Sequence, residues 1–252
     1  MPDNLFKIAS SAQSVVSFLH MNIGLLGGTF DPIHNGHLAV AQAALERCKL
    51  GKVLFVPGDI PPHKRKQPVT DFIHRYAMVT LALQGKKKFF PALLEAPLEK
   101  YPTGESRVHY SIDTVQRLKA SLAPTDKLFF IMGIDAFLDI SKWHEPEALL
   151  RECEFIVVSR PGYYLADVLD ALPESLRPRT VVQRALRAPS ISTLKVRGVT
   201  LHLLEGVRVP AAATNIRAAI RKGEKLGKLV NPAVAEYIKK MNLYTQAAGE
   251  VE

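Results

Sequence analysis

The chain has 252 residues, 47% apolar and 23% charged, with a mean hydropathy of +0.04 and a formal net charge of +9. That balance is too apolar for a disordered chain, and no run reaches the roughly 18 apolar residues of a membrane-spanning helix. Two cysteines, Cys48 and Cys153, can build neither a disulfide framework nor a four-thiolate zinc site, while the positive surface attracts nucleic acid, an anionic membrane or phosphorylated small molecules without choosing among them.

Residues 1–20 read as an N-terminal extension, mobile or loosely helical, without the basic start and long apolar centre of a secretory signal. Residues 23–26 predict a first strand, followed by glycines and a helix over 36–48. A second strand at 53–56 ends in Pro57-Gly58, and a helix follows over 72–83. Next come a helix over 112–122, a strand over 128–132 ended by Gly133, and a strand over 155–158 stopped by Arg160-Pro161-Gly162. Residues 163–190 read as an insertion or a mobile lid. The last strand is expected at 199–204, with helices over 215–221 and 233–241 behind it and a tail from 245 to 252. Alternating strands and helices imply right-handed crossovers. The expected fold is therefore α/β, a Rossmann-like doubly wound parallel sheet with helices on both faces and a small helical C-terminal portion, as one domain over 21–244. Ligands of such sheets bind at the carboxyl ends of the strands, where the strand order reverses.

The densest chemical signal is Gly27-Gly28-Thr29-Phe30-Asp31-Pro32-Ile33-His34-Asn35-Gly36-His37, between the first strand and the first helix. Paired glycines allow backbone amides to approach a phosphate, and a helix start adds positive potential. His34 and His37 are three residues apart, so both imidazoles can address one site and offset charge developing on a transferring phosphate. A zinc site would need further ligands at suitable spacing, and the chain has no His-Glu-x-x-His. Neither G-x-G-x-x-G nor G-K-[ST] occurs in this stretch, which argues against a dinucleotide fingerprint or a P-loop.

Residues 27–37 resemble the signature of the nucleotidylyltransferase superfamily, with His34-Asn35-Gly36-His37 as its histidine motif. Further stretches are similar to the bacterial nicotinate-nucleotide adenylyltransferase family, in the family's order. They are Pro61-Pro62-His63-Lys64, Arg75-Tyr76-Ala77-Met78, Tyr110-Ser111-Ile112-Asp113-Thr114, Phe130-Ile131-Met132-Gly133-Ile134-Asp135, Trp143-His144, Val157-Val158-Ser159-Arg160-Pro161-Gly162 and Thr214-Asn215-Ile216-Arg217. The resemblance implies transfer of AMP from ATP to nicotinate mononucleotide, giving deamido-NAD and pyrophosphate, in the cytoplasm. It implies magnesium accompanying ATP, no dedicated protein metal site, and neither a nucleic-acid nor a membrane partner; homo-oligomerisation stays open.

Site residues follow from that resemblance. His34, His37 and Arg217 are the catalytic candidates. Gly27, Gly28, Thr29, Phe30, Gly36, Thr214 and Lys64 are expected at ATP or its phosphates, and Ser111, Thr114, Gly133, Asp135, Trp143 and Arg160 at the acceptor. The residues themselves leave alternatives. Lys64 is a phosphate contact or a solvated lysine beside Arg65 and Lys66; Asp135 is a ribose ligand or a helix cap; Trp143 stacks on a flat ring or simply packs. Residues 181–228 carry ten Lys and Arg against Glu205 and Glu224, more than one phosphate site needs. The family pattern Ile-Ser-Ser-Thr-x-Ile-Arg is here Ala211-Ala212-Ala213-Thr214-Asn215-Ile216-Arg217, without two hydroxyls. The similar stretch at 191–197 precedes the last strand and receives no role. Rival readings are a relative using nicotinamide mononucleotide or phosphopantetheine, and a basic nucleic-acid-binding protein.

Overall fold

The computed structural model describes residues 20–59, 69–97, 109–159, 165–178, 191–207 and 211–245. The strands form because short apolar runs alternate their side chains between two helix layers. They are β1 (Asn22–Gly28), β2 (Lys52–Pro57), β3 (Phe89–Pro91), β4 (Lys127–Gly133), β5 (Glu154–Val158), β6 (Ile191–Val196) and β7 (Val199–Leu204). Their order is β3-β2-β1-β4-β5-β7-β6, parallel except for the β6–β7 pair. The order therefore reverses between β1 and β4, and the glycine–histidine stretch leaves the sheet at that point.

The helices are α1 (Asn35–Arg47), α2 (Phe72–Leu83), α3 (Ser111–Ala120), α4 (Ile134–Phe137), α5 (Pro146–Glu152), α6 (Leu165–Asp170), α7 (Ala213–Arg221) and α8 (Pro232–Lys240). Leu26, Val53, Phe55, Ile131, Ile156 and Leu204 face α1, α2, α7 and α8. Ile23, Leu25, Phe130, Phe155, Val157 and Leu201 face α3 to α6. One residue of slip in any central strand would exchange these two sets, so the burial of both faces holds the register.

Two stretches gain a definite place. Within 163–190, expected as an insertion or a mobile lid, residues 165–178 pack against the sheet, with Val168, Leu169, Leu172 and Leu176 buried in the second core; 163–164 and 179–190 lie outside the described residues. Residues 191–197 form an antiparallel edge strand and its turn; Arg197 and Gly198 both have positive φ (46° and 85°), the geometry of a tight two-residue hairpin. The small helical C-terminal portion shares a core with α1 and α2 through Ile216, Val234 and Ile238. The N-terminal extension and the tail beyond residue 245 lie outside the described residues.

Helix α7 starts poorly. Its N-cap, Ala212, has an extended backbone (φ −123°, ψ 139°) and no side chain to accept from the first amides. Ala212→Ser should stabilise the protein by about 0.5–1 kcal/mol, the usual worth of such a cap. A shift of the urea midpoint without a change in m would show it.

Candidate active site

The stretch after β1 is shaped by packing as much as by a ligand. Phe30 takes a left-handed backbone (φ 50°) and buries its ring, 2% exposed, edge-on to His37 at 4.9 Å. A side chain at Gly28 would meet that ring at 3.1 Å, so Gly28 answers to Phe30 as well as to any phosphate. Gly27, at the exposed end of β1, has no such crowding. Phe30 itself thus supports the His37 ring.

His34 is the N-cap of α1 and His37 its third residue; their rings stack at 3.7 Å. The His34 amide donates to His37 Nδ1 at 3.2 Å. A nitrogen that accepts carries no proton, so the neutral His37 ring holds its hydrogen on Nε2. His34 is 6% exposed, whereas His37 is only half-buried. Gly36 is buried in the same turn. Asn35 ties this turn to a late part of the chain by donating twice: backbone amide to the Leu229 carbonyl at 2.9 Å, and Nδ2 to the Lys228 carbonyl at 2.7 Å.

Beneath the loop lies Arg75 of α2, 1% exposed. Its guanidinium donates to the carbonyls of Thr29 (2.8 Å), Thr70 (2.6 Å), Asp59 (2.7 Å) and Gly58. Burial lowers its affinity for its proton, and Asp31 and Asp59 act in the opposite direction. Asp31 is a second hub. Its carboxylate accepts from the Tyr244 hydroxyl at 2.6 Å and from the Thr70 amide at 3.4 Å, and its carbonyl accepts from Arg217 Nη1 at 2.6 Å. Burial and the Asp31 charge push the Tyr244 phenol well above its ordinary pKa, so it stays a donor. Arg217 is half-buried in α7, and Thr214 is exposed in that helix's first turn.

On the other side of the crevice, the ends of β2 and β3 meet the start of α3. Thr114 is 1% exposed, and its hydroxyl donates to Glu95 Oε1 at 2.7 Å; it does not line the crevice as expected of an acceptor ligand. Glu95 Oε2 sits 3.3 Å from where a Cβ on Gly58 would be. Burial pushes the Glu95 carboxyl up to about 7, against the opposing pull of the Thr114 hydroxyl and Arg117. Asp59 is likewise raised by burial. Ser111 opens α3, half-buried, after the N-cap Tyr110, whose ring stacks on His144 at 4.0 Å. That contact brings the Trp143-His144 turn to the α3 start. Trp143 packs edge-on against Phe130 at 6.2 Å and is half-buried. Gly133 caps the short α4, and Asp135 is exposed in its first turn at the end of β4. Lys64 and Arg160 lie outside the described residues. Arg75, Asp31, Glu95 and Tyr244 are the components that sequence reasoning gave no role. Arg75 stood in a matched stretch, but nothing in a lone arginine of an amphipathic helix announces that it is buried.

Arg75→Met should leave four carbonyls without their donor and destabilise the fold by about 3–5 kcal/mol, as when one partner of a buried charged group is removed. Arg75→Lys keeps the charge and loses the fork, so it should fall between the two in a denaturant titration.

A family model described as cytidylyltransferase-like matches residues 25–199. A probable nicotinate-nucleotide adenylyltransferase of Citrifermentans bemidjiense is 37% identical over 227 residues, covering 90% of this chain and 100% of the relative. One from Moorella thermoacetica is also 37% identical, over 88% of this chain and 91% of its own. Among solved structures, Plasmodium falciparum nicotinic acid mononucleotide adenylyltransferase complexed with NaAD aligns with a TM-score of 0.65 at 22% identity, covering 89% of this chain and 98% of that one, a likeness of fold. The chain belongs to the cytidylyltransferase-like family, among its nicotinate-nucleotide adenylyltransferases.

Proposed function

We infer that this protein transfers the adenylyl group of ATP to nicotinate mononucleotide, producing deamido-NAD and pyrophosphate. The observation that carries this reading is the stacked His34–His37 pair at the α1 start, where the sheet order reverses, in a chain 37% identical to relatives of that name. A phosphate oxygen of the mononucleotide attacks the α-phosphorus of ATP; the new P–O bond forms as the bond to the bridging oxygen breaks, and pyrophosphate leaves with the electron pair. No protein nucleophile is needed, so alignment and charge stabilisation carry the rate.

His37 presents an Nε2–H to the transferring phosphate, with its other nitrogen held by the His34 amide. His34, the Gly27 and Gly28 backbone, the Thr29 and Phe30 amides and the turn at Gly36 complete the phosphate side. Arg217, tied to the Asp31 carbonyl through one nitrogen, and the α7 start at Thr214 receive the triphosphate. Lys64 remains a candidate phosphate contact. On the acceptor side, the α3 start at Ser111 offers amides to the nicotinate carboxylate, Trp143 faces the pyridine ring, and Gly133, Asp135 and Arg160 serve the rest of the mononucleotide. Thr114 acts from below, through Glu95. Magnesium comes with the ATP phosphates, shared by substrate oxygens and water. Among the described residues no group of three or more His, Cys, Asp or Glu gathers to hold an ion of its own. No helix among the described residues is long and apolar enough to cross a membrane, and a cytoplasmic site of action accompanies this reading.

His37→Ala should lower kcat by about a hundredfold, as loss of one transition-state donor does, with little change in Tm. Activity within severalfold of wild type would remove the histidine from the mechanism. The acid should be preferred over nicotinamide mononucleotide. An amide sets a donor against a site of donors, at about 1–3 kcal/mol, which is roughly tenfold or more in kcat/KM. Equal values would refute the acceptor assignment and leave adenylyl transfer standing. A pyrophosphate-release assay with ATP and a panel of acceptors makes both measurements. Tight, salt-sensitive retention of DNA or RNA on a filter, without pyrophosphate release, would favour the nucleic-acid reading instead.

A further inference from the structure

We propose that Glu95 is a specificity-determining residue: by gaining or losing a proton beneath the first turn of α3, it sets how strongly that turn attracts the carboxylate of the acceptor. The inference rests on the reading above, in which the start of α3 receives that carboxylate.

The geometry is a hydroxyl shared by two acceptors. Thr114 Oγ1 lies 2.7 Å from Glu95 Oε1 and 3.3 Å from the Tyr110 carbonyl, yet it has one proton to give. With Glu95 ionised, the hydroxyl donates to the carboxylate and the Tyr110 carbonyl keeps only its helical amide from Thr114. With Glu95 protonated, the carboxyl donates to Oγ1 and the hydroxyl turns to Tyr110. Both oxygens are then satisfied, and the proton exchanged comes from or returns to water. Tyr110 is the N-cap of α3 and stacks on His144 beside Trp143, so the change is felt where the acceptor is expected.

Charge gives the direction. An anion under a helix start cancels part of the positive potential that attracts another anion there. The groups acting on Glu95 are Asp59 at the end of β2, which disfavours its ionisation, and Arg117 of α3, which favours it. Behind Asp59 stand His109, ahead of α3, and Arg75 of α2, both opposing the effect of burial on Asp59. Burial dominates at Glu95 and brings its titration to about 7, inside the working range of a cytoplasmic enzyme. Asp113 also stands in the first turn of α3. Below that value the Glu95 charge is absent beneath that turn; above it, that charge is present and opposes the acceptor carboxylate.

The test is the ratio of kcat/KM for nicotinate mononucleotide to that for nicotinamide mononucleotide, followed from about pH 6 to about pH 8.5 with the full-length protein. Both acceptors carry the same phosphate, so its titration cancels, and the nicotinate carboxylate stays ionised throughout. The ratio should fall about fivefold as pH rises through about 7, the size of one screened like-charge interaction. In Glu95→Gln it should stay at its low-pH value. Thr114→Val removes a bond that favours the ionised form, so the midpoint should move to higher pH, and Thr114→Ser should restore it. A purely structural role would alter Tm or kcat and leave the midpoint unmoved. A pH-independent ratio in the wild-type protein, or one that still falls in Glu95→Gln, overturns the inference. Failure to adenylylate either mononucleotide overturns the reading beneath it as well.

Discussion

A guanidinium that touches almost no water organises the crevice. The chain leaves β1 and β2 in loops, so the carbonyls of Thr29, Gly58 and Asp59 have no ladder to join, and Thr70 stands on the far approach to α2. Arg75 gathers all four with one rigid fork. Buried carbonyls need donors, and a buried cation needs negative charge close by. Asp31 and Asp59 supply the charge, so neither the arginine nor the loops could sit as they do without the other. The floor of the site is in this sense one polar unit, built from three separate stretches of chain.

On that floor the two histidines are placed by packing rather than by ligand. Phe30, forced into a left-handed backbone, supports the edge of His37. The His34 amide fixes which nitrogen of that ring carries hydrogen. In the proposed reaction such preorganisation suits charge stabilisation of a transferring adenylyl group, because a donor already aimed need not reorganise during the step.

Much of the fold was legible because the strands facing both helix layers are short, apolar and bounded by glycine or proline. The exceptions have physical causes. Strand β3 is three residues, Phe89 to Pro91, too brief for any periodicity. Strand β6 alternates Ser192, Leu194 and Val196 with Thr193 and Lys195, the pattern of an edge rather than a core strand, and resembled a phosphate motif more than a strand. Helices α4 and α5 are one or two turns long. At the site, the glycine–histidine stretch was readable because its residue types are rare in combination. Arg75, Glu95 and Tyr244 were not, since a single charged or phenolic residue carries no local signal of what it meets across the fold. Their partners lie far away in sequence: Thr29 for Arg75, Thr114 for Glu95, Asp31 for Tyr244.

The Tyr244–Asp31 bond spans 213 positions, and the Arg217–Asp31 and Asn35–Lys228 bonds span 186 and 193. Among the described residues the seven strands end by Leu204, ahead of every one of these late partners. During synthesis the sheet can therefore assemble while the loop after β1 still lacks the braces supplied by residues 217–244. A chain halted at Leu204 would hold its strands in order and leave that loop unbraced. The order of translation thus makes the histidine turn one of the later parts of the described fold to settle.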